Sequence, residues 1–338
     1  MALQEGGQLK KSFLTVAVAF LLAAVLAACG TGPTGEPQEE DFRTDIQLGT
    51  GSVGGTYFPL GGEMATLLSD EVDIEGFNVS SVESGASVEN LAKIGTGEFQ
   101  LGMTVNGTAQ DAMNGEGEFE GRPVENFGFM IQIYPEVMHV VTLERTGIES
   151  IADLEGKRVA IGPPGSATQS ATRGILAAYG IEDGDYQAFE EGFGDAAGRL
   201  QDGNLDASFA ILGSPASSVD ELQATTGQVR YLEIEGDALE RFTGETFYEP
   251  YEIPADHYAW LEEPVSTVSA YAILVGSTNQ IDEETGYQIT KVLAERAAEE
   301  ISHPQAENMT KENALLGRLD LPLHPGAERY YREEGMLD

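Results

Sequence analysis

The chain is short of the residues that redox, metal and nucleic-acid chemistry need. It has one cysteine, one tryptophan and four histidines in 338 residues, and 18 Lys and Arg stand against 57 Asp and Glu. A single cysteine excludes a disulfide framework, a Cys-ligated zinc site and an iron–sulfur cluster. The histidines are scattered and give no H-E-x-x-H spacing. The formal net charge of -39 repels nucleic acid and anionic membranes, which excludes a phosphate-backbone partner. No P-loop string occurs, and GSPAS at 213–217 is not the G-x-S-x-G of a nucleophile elbow. Carboxylate pairs are many, but composition alone supplies them, so no glycosidase pair stands out.

What is present describes a folded body. Hydrophobic residues make up 41% and aromatics 8%, which excludes wholesale disorder. At roughly 150 residues per domain the length suggests two domains. The acidity is spread along the chain, and the basic set is 12 Arg and six Lys. This reads as a halophilic composition. At about 1 M salt the Debye length is only about 3 Å, so like charges hardly repel and surface carboxylates keep the chain hydrated.

The first 28 residues read as a targeting segment. Lys10 and Lys11 precede an apolar run over 13–28 that ends in LAAC, with cysteine at position 29. A basic start, a short apolar core and small residues at the cut describe a secretory signal. The run is too short for a comfortable membrane span. The L-A-A-C string resembles the lipobox of prokaryotic lipoproteins, which implies that Cys29 is lipidated and becomes the new N-terminus. Residues 29–43 are rich in Gly, Pro and Glu and read as a flexible tether. The expectation is a lipid-anchored, extracytoplasmic protein in the periplasm or at the cell surface.

Past the tether, short apolar runs alternate with helical periodicity. DIQLGT, FNVSSVE and FQLGMTVN read as strands, separated by helices in YFPLGGEMATLLSDEV and SVENLAKIGTGE. GFMIQIYPEVMHVVTLE holds one or two more strands. The pattern restarts with KRVAIG, QSATRGILAAYG, GDAAGRLQDGN, LDASFAILG, SSVDELQATTG and QVRYLEI. A strand pair is expected in HYAWLEEPVSTVSAYAILVG and a long helix in TGYQITKVLAERAAEEISH. Such alternation predicts an α/β protein with largely parallel sheets.

Glycine-rich turns between strand and helix carry the candidate chemistry. Gly49, Gly51 and Gly54 form a literal G-x-G-x-x-G. A dinucleotide reading fails because the next acidic candidate, Glu83, lies about 30 residues on, beyond the usual ~20, and because nicotinamide cofactors are scarce outside cells. No cofactor is therefore expected. The turn still aims backbone N–H groups outward at a helix start, which favours an anion. Gly55, Thr56 and Tyr57 complete it. A second such turn spans 162–168 and offers Gly165, Ser166 and Thr168. A third, ESGASVEN at 83–90, offers Ser84, Gly85, Ser87 and Asn90, and Asn106 ends the third strand. Ser166 and Ser87 also fit plain helix caps. Parallel strand ends share one edge, so all of these are candidates for one cleft between domains.

The strings GTGSVGGTYFPLG, SGASVENL, YPEVMHVV, DLEGKRVAIGPPGSAT, LDASFAILGSP and LPLHPGAERYYREEG occur in this order. Together they resemble the TAXI family, the solute receptors of one class of tripartite ATP-independent periplasmic (TRAP) transporters. The resemblance covers residues 45 to 335. It implies a type II, two-lobe Venus-flytrap periplasmic-binding-protein fold. It also implies capture of a small carboxylate or amino acid, glutamate-like, for delivery to TRAP membrane permease subunits. Gly54, Gly55, Thr56 and Tyr57 match the family's first loop; Ser84, Gly85, Ser87 and Asn90 its second. Tyr134 and His139 match the tyrosine–proline string between domains, and Gly165 and Ser166 the loop of the second domain. Where the family often carries a basic residue near 169, this chain has Gln169, with Arg173 the nearest cation.

The expected plan is a lipoprotein signal at 1–28, a tether at 29–43, lobe 1 from 44–140 with 262–338, and lobe 2 at 141–261. The crossings fall near 138–141 and 260–266. The expected protein is a monomer without enzymatic activity or metal. Arg122 and Arg158 are expected in surface ion pairs, and His303 and His324, each before proline, in turns. Two rivals remain, a secreted α/β hydrolase and a surface lipoprotein without a solute ligand.

Overall fold

The computed structural model describes residues 42–337. The signal, Cys29 and nearly all of the tether lie outside the described residues. From there the strand–helix alternation takes shape as β1 (Asp45–Gly49), α1 (Tyr57–Glu71), β2 (Asn78–Val82), α2 (Ser87–Gly95) and β3 (Leu101–Val105). β1 pairs in parallel with both β2 and β3. The carboxyl ends of these strands, and the helix starts after them, therefore share one edge. α1 buries Leu60, Met64, Leu67 and Leu68 against this sheet, the spacing of one helical face.

Two long strands form the spine. β4 (Phe127–Leu143) has 17 residues, buried everywhere except half-buried Pro135. Such a continuous apolar run is what a strand covered on both faces requires. β10 (Val265–Ser277) runs antiparallel beside it, from Ser269–Val137 to Ser277–Phe127. Pro135 has no N–H to donate, and it sits beside the register shift between Ala272 and Ile273, where proline is tolerated. Each long strand changes neighbours along its length. β10 pairs with β3 through Ala272–Gly276 and with β9 (Glu249–Ile253) through Val265–Ser269. β4 pairs with β7 (Ala207–Leu212) through Val137–Thr142. The change of partner lies near 134–137 on β4 and 269–272 on β10.

The second half repeats the parallel theme. β5 (Arg158–Ala160) pairs in parallel with β6 (Gln187–Phe189) and β7. The path through the sheet is β2-β1-β3-β10-β4-β7-β5-β6, with β8 (Val229–Tyr231) on the end of β4. Helices α4 (Ala167–Ala178), α5 (Phe193–Gln201) and α6 (Ser217–Thr226) connect these strands. One apolar cluster gathers Phe193, Leu200 and Leu212; another gathers Ile175, Leu176 and Phe209. Thus β7 is covered on both faces.

Several elements were not expected from sequence. α3 (Asn106–Asn114) starts directly at the end of β3. Its sequence NGTAQDAMN is polar, and its buried residues are Asn106, Gly107, Ala109, Gln110 and Ala112, so its hydrophobic periodicity is faint. β6, β9 and α7 (Gly236–Glu245) are short or mostly polar for the same effect. The expected strand pair around 257–276 is the one strand β10, which pairs with the preceding β9 and with the sequence-distant β3 and β4. The long helix is α8 (Glu283–Glu300), capped by Asp282. α9 (Pro325–Glu333) is capped by His324, and His303 caps a short 3-10 turn, so both histidines end loops as acceptors of backbone N–H groups.

Candidate functional site

Three strand-to-helix turns meet. The chain passes from β1 to α1, from β2 to α2 and from β5 to α4, and all three turns border one cavity of about 60 Å³. The first turn contributes Gly51, Ser52, Gly55, Thr56 and Tyr57. The second contributes Ala86 and Ser87, and the third Gly162, Pro163, Ser166, Ala167 and Thr168. Val105, Tyr134, Glu136 and the end of β7 close the walls. Helix starts carry partial positive charge, so this cavity is favourable to an anionic group.

The local geometry follows from small side chains. Thr56 has helical φ and ψ, so its hydroxyl does not cap α1. Thr56 Oγ1 instead accepts a hydrogen bond from Gly213 N at 2.9 Å, just past β7. The Gly165 carbonyl accepts from Val88 N at 3.1 Å and Glu89 N at 3.2 Å, which satisfies the start of α2 from the opposite half of the chain. Gly54 has φ +87°, and a Cβ there would stand 2.7 Å from the Cα and N of Gly194. Only glycine allows both that backbone and that approach. Ser166 is the N-cap of α4: its Oγ accepts from Gln169 N at 3.1 Å and donates to the Pro163 carbonyl at 2.7 Å. Ser87 Oγ accepts from Val105 N at 3.1 Å, while Ala86 occupies the cap position of α2 without a side-chain bond.

Of the expected site residues, Gly55, Thr56, Tyr57, Ser87, Tyr134, Ser166 and Thr168 line the cavity. Gly54 and Gly165 stand behind it, in the contacts just described. Ser84, Gly85 and Asn90 form a brace outside the lining. Asn90 is fully buried, and its Nδ2 donates to the carbonyls of Thr50 and Met103, both at 2.8 Å. Ser84 Oγ donates to Asn90 Oδ1 at 2.7 Å, and Gly85 N donates to Glu89 Oε2 at 2.7 Å.

Asn106 is elsewhere. Because β3 runs straight into α3, Asn106 Oδ1 turns to accept from Gly107 N at 2.9 Å and Tyr271 N at 3.3 Å. It borders a different hollow, with Phe247 and Arg318. His139 is also outside the lining. Its Nδ1 is 2.8 Å from the Tyr231 hydroxyl, and burial pushes its pKa down to about 3. Arg158 pairs with Asp206 at 2.6 Å, and Arg173 pairs with Asp183 and Glu190, each at 3.4 Å. Gln169 donates to Glu190 at 3.0 Å. The cavity lining holds no Lys, Arg or His. Ser214 Oγ lies 2.8 Å from His257 Nδ1, but neither residue borders the cavity.

Sequence reading missed Glu136. It is the one charged residue of the cavity wall. Tyr57 donates to its Oε2 at 2.9 Å and Tyr134 to its Oε1 at 3.2 Å. Burial raises its pKa to about 7, against the pull of the two tyrosine donors. The tyrosines are themselves held well above their ordinary pKa by burial and then by the Glu136 charge. A signal existed: Glu136 is the only carboxylate inside the long apolar run of β4.

Comparisons with known proteins agree with this geometry at the level of fold. A family model described as "NMT1-like family" matches residues 48–335. The chain is similar to a binding protein component of an ABC phosphonate transporter from Pseudomonas aeruginosa, with 10% identity, TM-score 0.53, and 87% of this chain and 96% of that chain covered. It is similar to PhnD1 from Prochlorococcus marinus in complex with methylphosphonate, with 12% identity, TM-score 0.52, and 87% and 99% covered. A protein from Bordetella bronchiseptica RB50 gives 15% identity, TM-score 0.50, and 87% and 82% covered. The fold is the two-lobe α/β architecture of periplasmic binding proteins.

Proposed function

The chain belongs to the NMT1-like family, and on that footing we propose that it is an extracytoplasmic solute-binding receptor without enzymatic activity. The observation that carries this reading is the single cavity bordered by the starts of α1, α2 and α4, two from one half of the chain and one from the other. Lobe 1 comprises 44–140 and 262–338, and lobe 2 comprises 141–261. The lobes close over one small carboxylate or amino acid, and backbone N–H groups and hydroxyls do most of the holding. Ligand favours closure only through its greater affinity for the closed state. The contacts of Thr56 with Gly213 and of Gly165 with α2 join the two halves of the chain and support this reading.

The finer assignment is a TAXI receptor tethered by a lipid on Cys29 and delivering its solute to a TRAP permease. The family strings in the sequence support it, and so does the lipobox. Methylphosphonate, in complex with one structural neighbour, fits this wall less well. A dianion would face the Glu136 carboxylate with no cation in the lining.

The test is thermal melting of the protein in molar KCl with amino acids, carboxylates, alkylphosphonates and alkylsulfonates. A receptor gains about 2.7 kcal/mol from a ligand at 100 times its dissociation constant and shows no turnover. A flat response across the panel, or hydrolysis of an ester or amide that depends on Ser214 and His257, refutes the reading.

A further inference from the structure

Resting on the receptor reading above, we propose that Glu136 is the specificity-determining residue of the cavity and that it selects a ligand carrying a protonated amine beside its carboxylate, the zwitterionic head of an amino acid. The cavity wall carries charge of both signs. Helix starts from both halves of the chain supply partial positive charge. Glu136 supplies the only full charge in the wall, and no ion pair involves it among the described residues.

The carboxylate is held as an acceptor. Tyr57 and Tyr134 each have one proton, and each points it at a different oxygen of Glu136. Each oxygen keeps a further lone pair. A buried carboxylate without a cation is costly, and a ligand ammonium group removes that cost. A ligand with carboxylates alone adds a second negative charge to the same desolvated space and is rejected by repulsion. Discrimination between an amino acid and the same skeleton without the amine is thus built into the wall. The titratable groups facing Glu136 are Tyr57 of α1, Tyr134 of β4 and Tyr248 before β9, all of them pushed upward by burial. None of the three competes for a proton near neutral pH.

The experiment is titration calorimetry at pH 8 in molar KCl with paired probes: L-glutamate beside glutarate, L-alanine beside propionate, and L-leucine beside 4-methylpentanoate. The amine-bearing member of at least one pair binds more tightly than its partner by about 100-fold or more, and Glu136→Gln brings that ratio below about 10. Affinity for the amine-bearing probe rises from pH 5 to pH 8 as Glu136 ionises. Glutarate, propionate or 4-methylpentanoate binding as tightly as its amino acid overturns the inference and leaves the receptor reading standing. So does an affinity that falls with rising pH, the mark of a protonated Glu136 donating to a ligand carboxylate. The wild-type ratio decides the matter even if the Gln variant fails to fold. Silence from all six probes overturns the inference; silence from the wider melting panel as well removes the receptor reading.

Discussion

Glu136 and His139 lie three residues apart on β4 and pull stability in opposite pH directions. Burial raises the Glu136 pKa to about 7, above its ordinary 4.5. Its contribution is therefore fully present below about pH 4.5 and is lost as pH rises through 7. Burial lowers His139 to about 3 and His324 to about 4, from 6.5. Their contributions are present above about pH 6.5 and are lost as pH falls toward those values. Replacing Glu136 by Gln keeps the size and removes the charge. The ligand-free variant is expected to be more stable than the parent at pH 8, by up to about 3 kcal/mol, with the gain vanishing near pH 4.5. Denaturant titration at the two pH values reads this directly. An equal effect at both would show that Glu136 is not strained by its charge.

At the scale of single elements, the turns before α1 and α4 make separable predictions. Ser166→Ala removes the cap of α4 and its bond to Pro163. The expected loss is about 1 kcal/mol of stability, read by denaturant titration. Gly54→Ala meets the backbone of Gly194 and a positive φ. It is expected to keep the circular-dichroism spectrum of the parent and to lose most ligand-induced stabilisation. Unchanged ligand response in this variant would count against closure through that contact. The capped turns were legible in sequence because capping, glycine turns and strand–helix alternation are local signals. β10 was less legible. Its partners β3 and β4 lie far away in the chain and β9 ends before the segment begins, so HYAWLEEPVSTVSAYAILVG looked like a pair in itself. α3 and α7 were missed because their polar sequences carry little periodicity.

At the scale of the whole molecule, the net charge of -39 dominates the surface. In dilute buffer this charge repels itself across the fold, and salt screens it. The melting temperature is expected to climb between about 0.1 M and 2 M KCl, where the Debye length falls from about 10 Å to under 3 Å. Ligand affinity should change far less, because short hydrogen bonds to buried groups are screened less than surface charge pairs. A cavity affinity that collapses with salt would contradict binding by short, desolvated hydrogen bonds. Trp260 offers a second readout. It stacks on Tyr231 with ring centroids 5.8 Å apart, and Tyr231 bonds His139 on β4. Its emission is expected to shift when ligand closes the lobes; constant emission at saturation would disconnect this cluster from the movement.

The amino-acid order alone determined the strand–helix alternation, the glycine turns and the apolar length of β4, because each depends on neighbours a few residues away. Tertiary structure alone decided which of those turns share a cavity. It gathered Thr56, Ser87 and Ser166, turned Asn106 toward β10 and braced Asn90 under the sheet. It also brought Tyr57 to Glu136 across 79 positions of sequence, a pairing that parallel strand order and the long spine strands impose and that no local pattern encodes.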